Sequence, residues 1–240
     1  MASETIKKKK AKRKPKKDHI GSNFFYDFVK FTGAIPMLLK LRTKVIYMGK
    51  KPKVRGACLV SANHRGLIDP VIILSIFKMR RPIFLAAEVL YQKKWAARFF
   101  NALHFIKTDR HNFSISAFHN AVDRLKSGKM VVIFPEGRIN DEDHTGVLPF
   151  KTGVAFIAHK ANAPILPVYI IKRENNRERQ KVVVGEPINL RDYVGDTPSI
   201  DQLTSVSEIL RDKEFELRDY YEKNYLKKDK QNKEAEEVCQ

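Results

Sequence analysis

Two pairs of residues in this chain set an imidazole and a carboxylate at the same interval: His64 with Asp69 in SANHRGLIDPVII, and His104 with Asp109 in HFIKTD. Imidazole is the side chain that titrates near neutrality. A neutral histidine can take a proton from a hydroxyl, while a carboxylate accepting its other ring N–H fixes the tautomer and stabilises the imidazolium formed. The interval alone does not choose between the pairs, but local pattern does. HFIKT has the composition of a strand, where residues five apart face opposite sides about 16 Å from one another, so His104 is expected to be structural. Around His64 the apolar run ACLVSA ends, Gly66 permits a tight turn, and Asp69 precedes Pro70, a favoured first residue of a helix. Such a turn can fold the carboxylate back onto the imidazole, whereas an uninterrupted helix would set the two about 140° apart. The competing reading makes Asp69 only the cap of the helix that begins at Pro70. No serine or cysteine nucleophile is evident beside the pair, since Cys58 lies inside the apolar run and GxSxG is absent. The substrate is therefore expected to bring its own nucleophile.

Two further stretches could bind an anion. MVVIF runs straight into Pro135, Glu136, Gly137 and Arg138, a strand end where backbone can approach a ligand and an arginine can meet an anion; a solvated turn with a surface ion pair is the bland alternative. FIKTDRHN carries Lys107, Arg110 and His111 just past another strand end, and a guanidinium there suits bidentate phosphate contact.

The elements that must hold these residues are seven runs rich in β-branched and apolar residues: KVIYM, ACLVSA, PIFLAA, HFIKT, MVVIF, APILPVYII and KVVVG. Helical patterns lie between most of them. They run from Gln92 to Leu103, from a cap at Asn112 through the stripe Ile115, Phe118, Val122 and Leu125 to Gly128, from Lys151 to Asn162, and from Asp201 to Leu226. This alternation predicts an α/β fold, a single domain with a largely parallel mixed sheet of about seven strands flanked by helices, with function gathered at strand ends. Ahead of it, NFFYDFVKFTGAIPMLLKLR puts Phe24, Phe28, Phe31 and Ile35 on one helical stripe and Asn23, Asp27 and Lys30 on another; Pro36 should end or kink the helix before Met37 to Leu41. That pattern fits a helix packed on the core or one lying on a membrane, and the basic tail beside it favours the membrane. The expected organisation is a disordered polybasic tail at 1–22, amphipathic membrane-associating helices at 23–42, the main domain at 43–226 and a charged C-terminal tail at 227–240.

Lys and Arg number 46 against 27 acidic residues, a net charge of +19, and nine of the bases lie within residues 7–17. Such a chain calls for an anionic partner or surface. No apolar stretch approaches the roughly 20 residues that span a bilayer, so a peripheral place on the cytoplasmic face of the cell membrane is expected, with no transmembrane span. Cys58 and Cys239 offer neither a disulfide framework nor metal-ligand spacing; no metal and no cofactor are expected. GxGxxG, GxxxxGK[ST] and HExxH are absent. A basic nucleic-acid-binding protein is the rival from another class, but no recognition motif or stacking-aromatic pattern accompanies the charge.

Taken in order, these blocks resemble the lysophosphatidate acyltransferase family of glycerophospholipid acyltransferases. NHRGLIDP matches its His-x4-Asp block, FIKTDR its second block, FPEGR its third and ILPV its fourth, and FKTGVAFIAHKANAPILPV matches the stretch joining the last two. The likeness runs from about residue 24 to residue 190 and decides between the two pairs in favour of His64. It implies transfer of a fatty acyl group from acyl-CoA or acyl carrier protein to the free hydroxyl of a lysophospholipid acceptor. The first choice of acceptor is 1-acylglycerol 3-phosphate, with glycerol 3-phosphate or a lyso-aminolipid as alternatives. The resemblance makes His64 the general base and Asp69 its orienter, with Arg110, Glu136, Gly137 and Arg138 binding the glycerol phosphate. The third block departs from the family's FPEGTRS: this chain reads Phe134, Pro135, Glu136, Gly137, Arg138, Ile139, Asn140, without the threonine and with the arginine one place earlier.

Overall fold

The computed structural model describes residues 23–109, 114–140, 147–173, 175 and 178–226. All seven apolar runs form strands: β1 (Lys44–Tyr47), β2 (Cys58–Ala62), β3 (Ile83–Ala87), β4 (Ile106–Thr108), β5 (Met130–Ile133), β6 (Ile165–Ile170) and β7 (Lys181–Val184). They make one sheet in the order β1-β7-β6-β2-β5-β3-β4. Strands β2 to β6 are parallel throughout, and the direction reverses once, where β7 pairs antiparallel with β6 and β1 follows β7. β2, β5 and β6 are buried at every position, because helices cover both faces of a parallel sheet and leave no solvent side to alternate toward.

Period-two alternation then sorts the central strands. Leu59, Val131 and Ile165 face α5 (Ile115–Lys126), α6 (Gly153–Ala161) and α7 (Ile200–Tyr221). Cys58, Val60, Val132 and Leu166 face the other way, onto Ile72 and Ile73 of α3 (Asp69–Ile76) and Leu41 of α2 (Ile35–Leu41). The expected cap Asn112 lies outside the described residues; the N-cap of α5 is Ser114, whose side chain accepts from Ala117 N. α7 opens with a reciprocal capping box between Ser199 and Gln202 and closes in a π-helical turn, Glu222–Leu226.

His104 lies in the turn before β4 with φ of 62°, so its strand is shorter than HFIKT suggested, and its ring rests tilted on Tyr26, 5.8 Å away. The N-terminal helix also differs from the simplest reading. α1 (Asn23–Val29) breaks into a π-helical turn at Lys30–Ala34, ahead of Pro36, which sits harmlessly in the first turn of α2. The stripe of Phe24, Phe28 and Phe31 points outward, 79%, 54% and 59% exposed, and the polar side holds the helix down. Tyr26 OH donates to Pro82 O at 2.8 Å, and Arg81 Nε donates to Asp27 Oδ1 at 2.8 Å. The buried Lys30 Nζ donates to the carbonyls of Phe77, Lys78 and Arg80 at 3.3, 2.7 and 2.6 Å, in the connection that follows α3. Burial pulls the Lys30 ammonium below its ordinary pKa, and the nearby Asp27 opposes that pull. Among the described residues no helix is long and apolar enough to cross a membrane.

Candidate active site

β2 lies at the middle of the sheet, and its C-terminal end is pinned before it reaches His64. The fully buried Asn63 side chain donates from Nδ2 to Ile170 O (3.1 Å) and accepts from Ile170 N at Oδ1 (2.6 Å), extending the pairing of β2 with β6 by one amide. The chain then turns, and Asp69 comes back to His64. Asp69 Oδ2 accepts from His64 Nδ1 (2.7 Å), Arg65 N (2.6 Å) and Gly66 N (2.8 Å). Because a carboxylate only accepts, this arrangement puts the proton of a neutral imidazole on Nδ1 and the lone pair on Nε2.

The reading of Asp69 as a mere cap is overturned. Ile68 holds the N-cap position of α3 with no side-chain capping bond, and the buried carboxylate is turned toward the preceding residues rather than toward its own helix. Gly66 donates its N–H to Asp69 Oδ2, as any residue but proline could: its φ is not left-handed, and a Cβ there would meet nothing within 4 Å.

The turn after β5 wraps around the same histidine. The Phe134 ring stacks on the imidazole at 4.3 Å and 16°. Glu136 Oε1 accepts from His64 N (3.1 Å), and Asn140 N donates to His64 O (2.7 Å). Gly137 has φ of 71°, which calls for glycine; a Cβ there would also fall 2.7 Å from Cε of the flexible Lys151 side chain, which would have to shift. Arg138 is exposed on this turn, between Glu136 and Asn140, both of which bond the His64 backbone. Arg110 lies outside the described residues; β4, the strand before it, ends three strands from β2, about 14 Å away.

Burial pushes the Glu136 carboxyl up to about 7, against the pull of the His64 and Leu148 backbone N–H groups and of Arg65. Behind it sits Glu214 of α7, fully buried, whose Oε1 accepts from Ser61 Oγ at 2.7 Å. Burial first, and then the charge of Glu136, hold Glu214 well above the ordinary carboxylate range. Both Oε2 atoms are buried without a hydrogen-bond partner among the described residues. Arg65 Nη2 donates to Tyr169 OH at 3.1 Å, tying the turn to β6.

The structure thus brings His64, Asp69, Glu136, Gly137 and Arg138 together at one sheet edge. Reasoning from sequence missed Asn63, Phe134, Asn140 and Glu214. Glu214 left a readable mark: it occupies the apolar stripe of α7, four residues after Leu210 and three before Leu217. Among the described residues no group of three His, Cys, Asp or Glu side chains could hold a metal ion. What the site can do is remove a proton at Nε2 from a group that approaches the sheet edge, with Asp69 balancing the imidazolium.

Comparison with known proteins agrees in fold and in family. A family model described as Acyltransferase matches residues 43–171. Over 191 residues the chain is 29% identical to the 1-acyl-sn-glycerol-3-phosphate acyltransferase of Bacillus subtilis (strain 168), covering 77% of this chain and 93% of that protein. Over 186 residues it is 28% identical to the 1-acyl-sn-glycerol-3-phosphate acyltransferase of Streptococcus pneumoniae, covering 74% and 67%. The crystal structure of the 1-acyl-sn-glycerophosphate (LPA) acyltransferase PlsC from Thermotoga maritima superposes with a TM-score of 0.53 at 25% identity, covering 81% of this chain and 78% of that one.

Proposed function

The chain belongs to the acyltransferase family, and from that premise we propose that it transfers a fatty acyl group from acyl-CoA or acyl carrier protein to the sn-2 hydroxyl of 1-acyl-sn-glycerol 3-phosphate, making phosphatidate. The acceptor class follows the activity for which the Bacillus and Streptococcus relatives are named. The observation that carries the mechanism is the 2.7 Å bond from His64 Nδ1 to a carboxylate already fixed by two backbone N–H groups.

In this mechanism Nε2 of His64 takes the proton of the acceptor hydroxyl as its oxygen attacks the thioester carbonyl. The tetrahedral intermediate collapses with loss of the C–S bond, and the imidazolium returns its proton to the departing thiolate. An ester and a free thiol leave, and no acyl group rests on the protein. Asp69 holds the ring in the productive tautomer and offsets its transient charge. Phe134, Glu136 and Asn140 keep the His64 backbone and ring in register with the sheet edge. Arg138, on the turn after β5, and Arg110, beyond β4, bind the phosphate, a dianion that suits guanidinium forks. The outward phenylalanines of α1 and the basic residues of 1–22 hold the enzyme on the cytoplasmic face of the membrane, where the acceptor lies.

The test is purified full chain on anionic vesicles with oleoyl-CoA or oleoyl carrier protein and a panel of lysophosphatidate, glycerol 3-phosphate and a lyso-aminolipid. Phosphatidate is the expected product. His64→Ala and Asp69→Asn are expected to lower kcat about 10²–10⁴-fold with unchanged circular dichroism. A folded His64→Ala enzyme at full rate removes the base from the mechanism, and preference for another acceptor replaces the substrate.

A further inference from the structure

The exposed apolar surface continues past α1. α4 (Lys94–Ala102) buries Ala96 and exposes Trp95 and Phe99, one helical turn apart, with Trp95 68% exposed. The 3₁₀ turn Glu88–Tyr91 that feeds it exposes Val89 and Leu90. Residues 89–99 carry three exposed cations, Lys93, Lys94 and Arg98, and no acid; Glu88, just before them, is engaged by Lys107. Soluble surfaces rarely collect large apolar side chains this way, and an aromatic anchor ringed by lysine and arginine is the composition that suits a lipid interface.

Two connections relate this segment to the rest of the molecule. The Phe99 ring meets Phe25 edge-on at 6.4 Å, joining α4 to the helix that carries Phe24, Phe28 and Phe31. β2 and β3 both run parallel to β5, so the end of β3 from which Val89 and Leu90 follow lies on the same sheet edge as His64. Leu67, in the turn between His64 and Asp69, is itself 83% exposed.

We propose that α4 and the turn before it form a second membrane-contact element. Trp95 and Phe99 sit at the acyl boundary, and Lys93, Lys94 and Arg98 lie on anionic headgroups. A single anchor at α1 leaves the body free to swing, whereas two anchors joined through Phe25 and Phe99 fix its orientation on the bilayer. Val89 and Leu90 leave β3 at the end of the sheet that bears His64, so this element brings that end to the interface, where a lipid hydroxyl reaches Nε2. The choice of a bilayer over a protein partner rests on charge complementarity: the chain carries +19, and this patch contributes only cations. The proposal leans on the acyl-transfer reading for the meaning of this orientation.

Trp95 is the only tryptophan in the chain, so its fluorescence reports on α4 alone. With vesicles of phosphatidylcholine and phosphatidylglycerol, the full chain is expected to show a blue-shifted emission, quenching by bromine-labelled acyl chains and protection from aqueous iodide. The joint variant Lys93→Gln, Lys94→Gln, Arg98→Gln is expected to partition at least tenfold less onto these vesicles, while retaining its rate toward lysophosphatidate in detergent micelles. The proposal is overturned if the protein sediments with vesicles while Trp95 stays unshifted and open to iodide. It is equally overturned if the shift follows protein concentration without lipid, which makes the occupant a second copy. If Trp95 is shielded but no donor or acceptor yields product, the membrane contact stands and the acyl-transfer reading falls.

Discussion

Replacing Glu136 with glutamine removes a titration while keeping a shape. Oε1 of the side chain still accepts from His64 N, and the amide nitrogen stands where the protonated carboxyl carries its hydroxyl, at an Oε2 that has no partner to lose. In the wild type, burial raises this carboxyl from 4.5 to about 7. An acid whose folded pKa exceeds its unfolded one is most stabilising while protonated. Its contribution is therefore complete below about pH 4.5, declines as pH rises, and is gone above about pH 7. At 1.36 kcal/mol per pKa unit, the decline amounts to about 3 kcal/mol. Every other ionisable group is shared by the two proteins; Glu214, raised first by its own burial, loses only the smaller contribution of the Glu136 charge. Urea unfolding followed by circular dichroism at pH 5, 6, 7 and 8 measures it. The variant should match the wild type within about 1 kcal/mol at pH 5 and exceed it by about 3 kcal/mol at pH 8. A difference that stays constant with pH, or narrows as pH rises, refutes the assignment of a buried, proton-holding Glu136.

Gly137→Ala combines a left-handed φ with a Cβ 2.7 Å from Lys151 Cε, and should cost at least about 1 kcal/mol, a fall in Tm of about 2–4 °C by calorimetry. Adding Lys151→Ala should restore only the part owed to the contact, leaving the backbone strain. Lys30→Met removes the ammonium that serves three carbonyls, each such charge-assisted bond being worth about 1.5–3 kcal/mol at most. Hydrogen exchange should show amides of residues 23–34 opening at least about 30-fold faster, which corresponds to about 2 kcal/mol, with β2 and β5 unchanged.

The central strands were legible because helices cover both faces of the sheet there and β2, β5 and β6 each read as an unbroken apolar run. The turn between His64 and Asp69 is legible too, from Gly66 and Pro70, although nothing in the backbone at Gly66 demands glycine. The stripe Phe24, Phe28 and Phe31 was visible, but a periodic stripe has no direction. The bonds of Tyr26, Asp27 and Lys30 to residues 77–82 decide which side faces the body. Asn63, Asn140 and Glu214 were hidden because each acts through a residue far along the chain: Asn63 through Ile170, Asn140 through His64, Glu214 through Ser61. Local pattern carries no account of such pairings.

The burial of β2 has a chemical consequence for a protein proposed to handle thioesters. Cys58 opens that strand, six residues from His64, with no surface exposed and with its thiol pushed by burial up to about 12. Exchange with a thioester requires a thiolate, and at cellular pH this sulfur forms essentially none. The Cys58 thiol therefore cannot intercept the donor, and the acyl group is left for the hydroxyl of the acceptor.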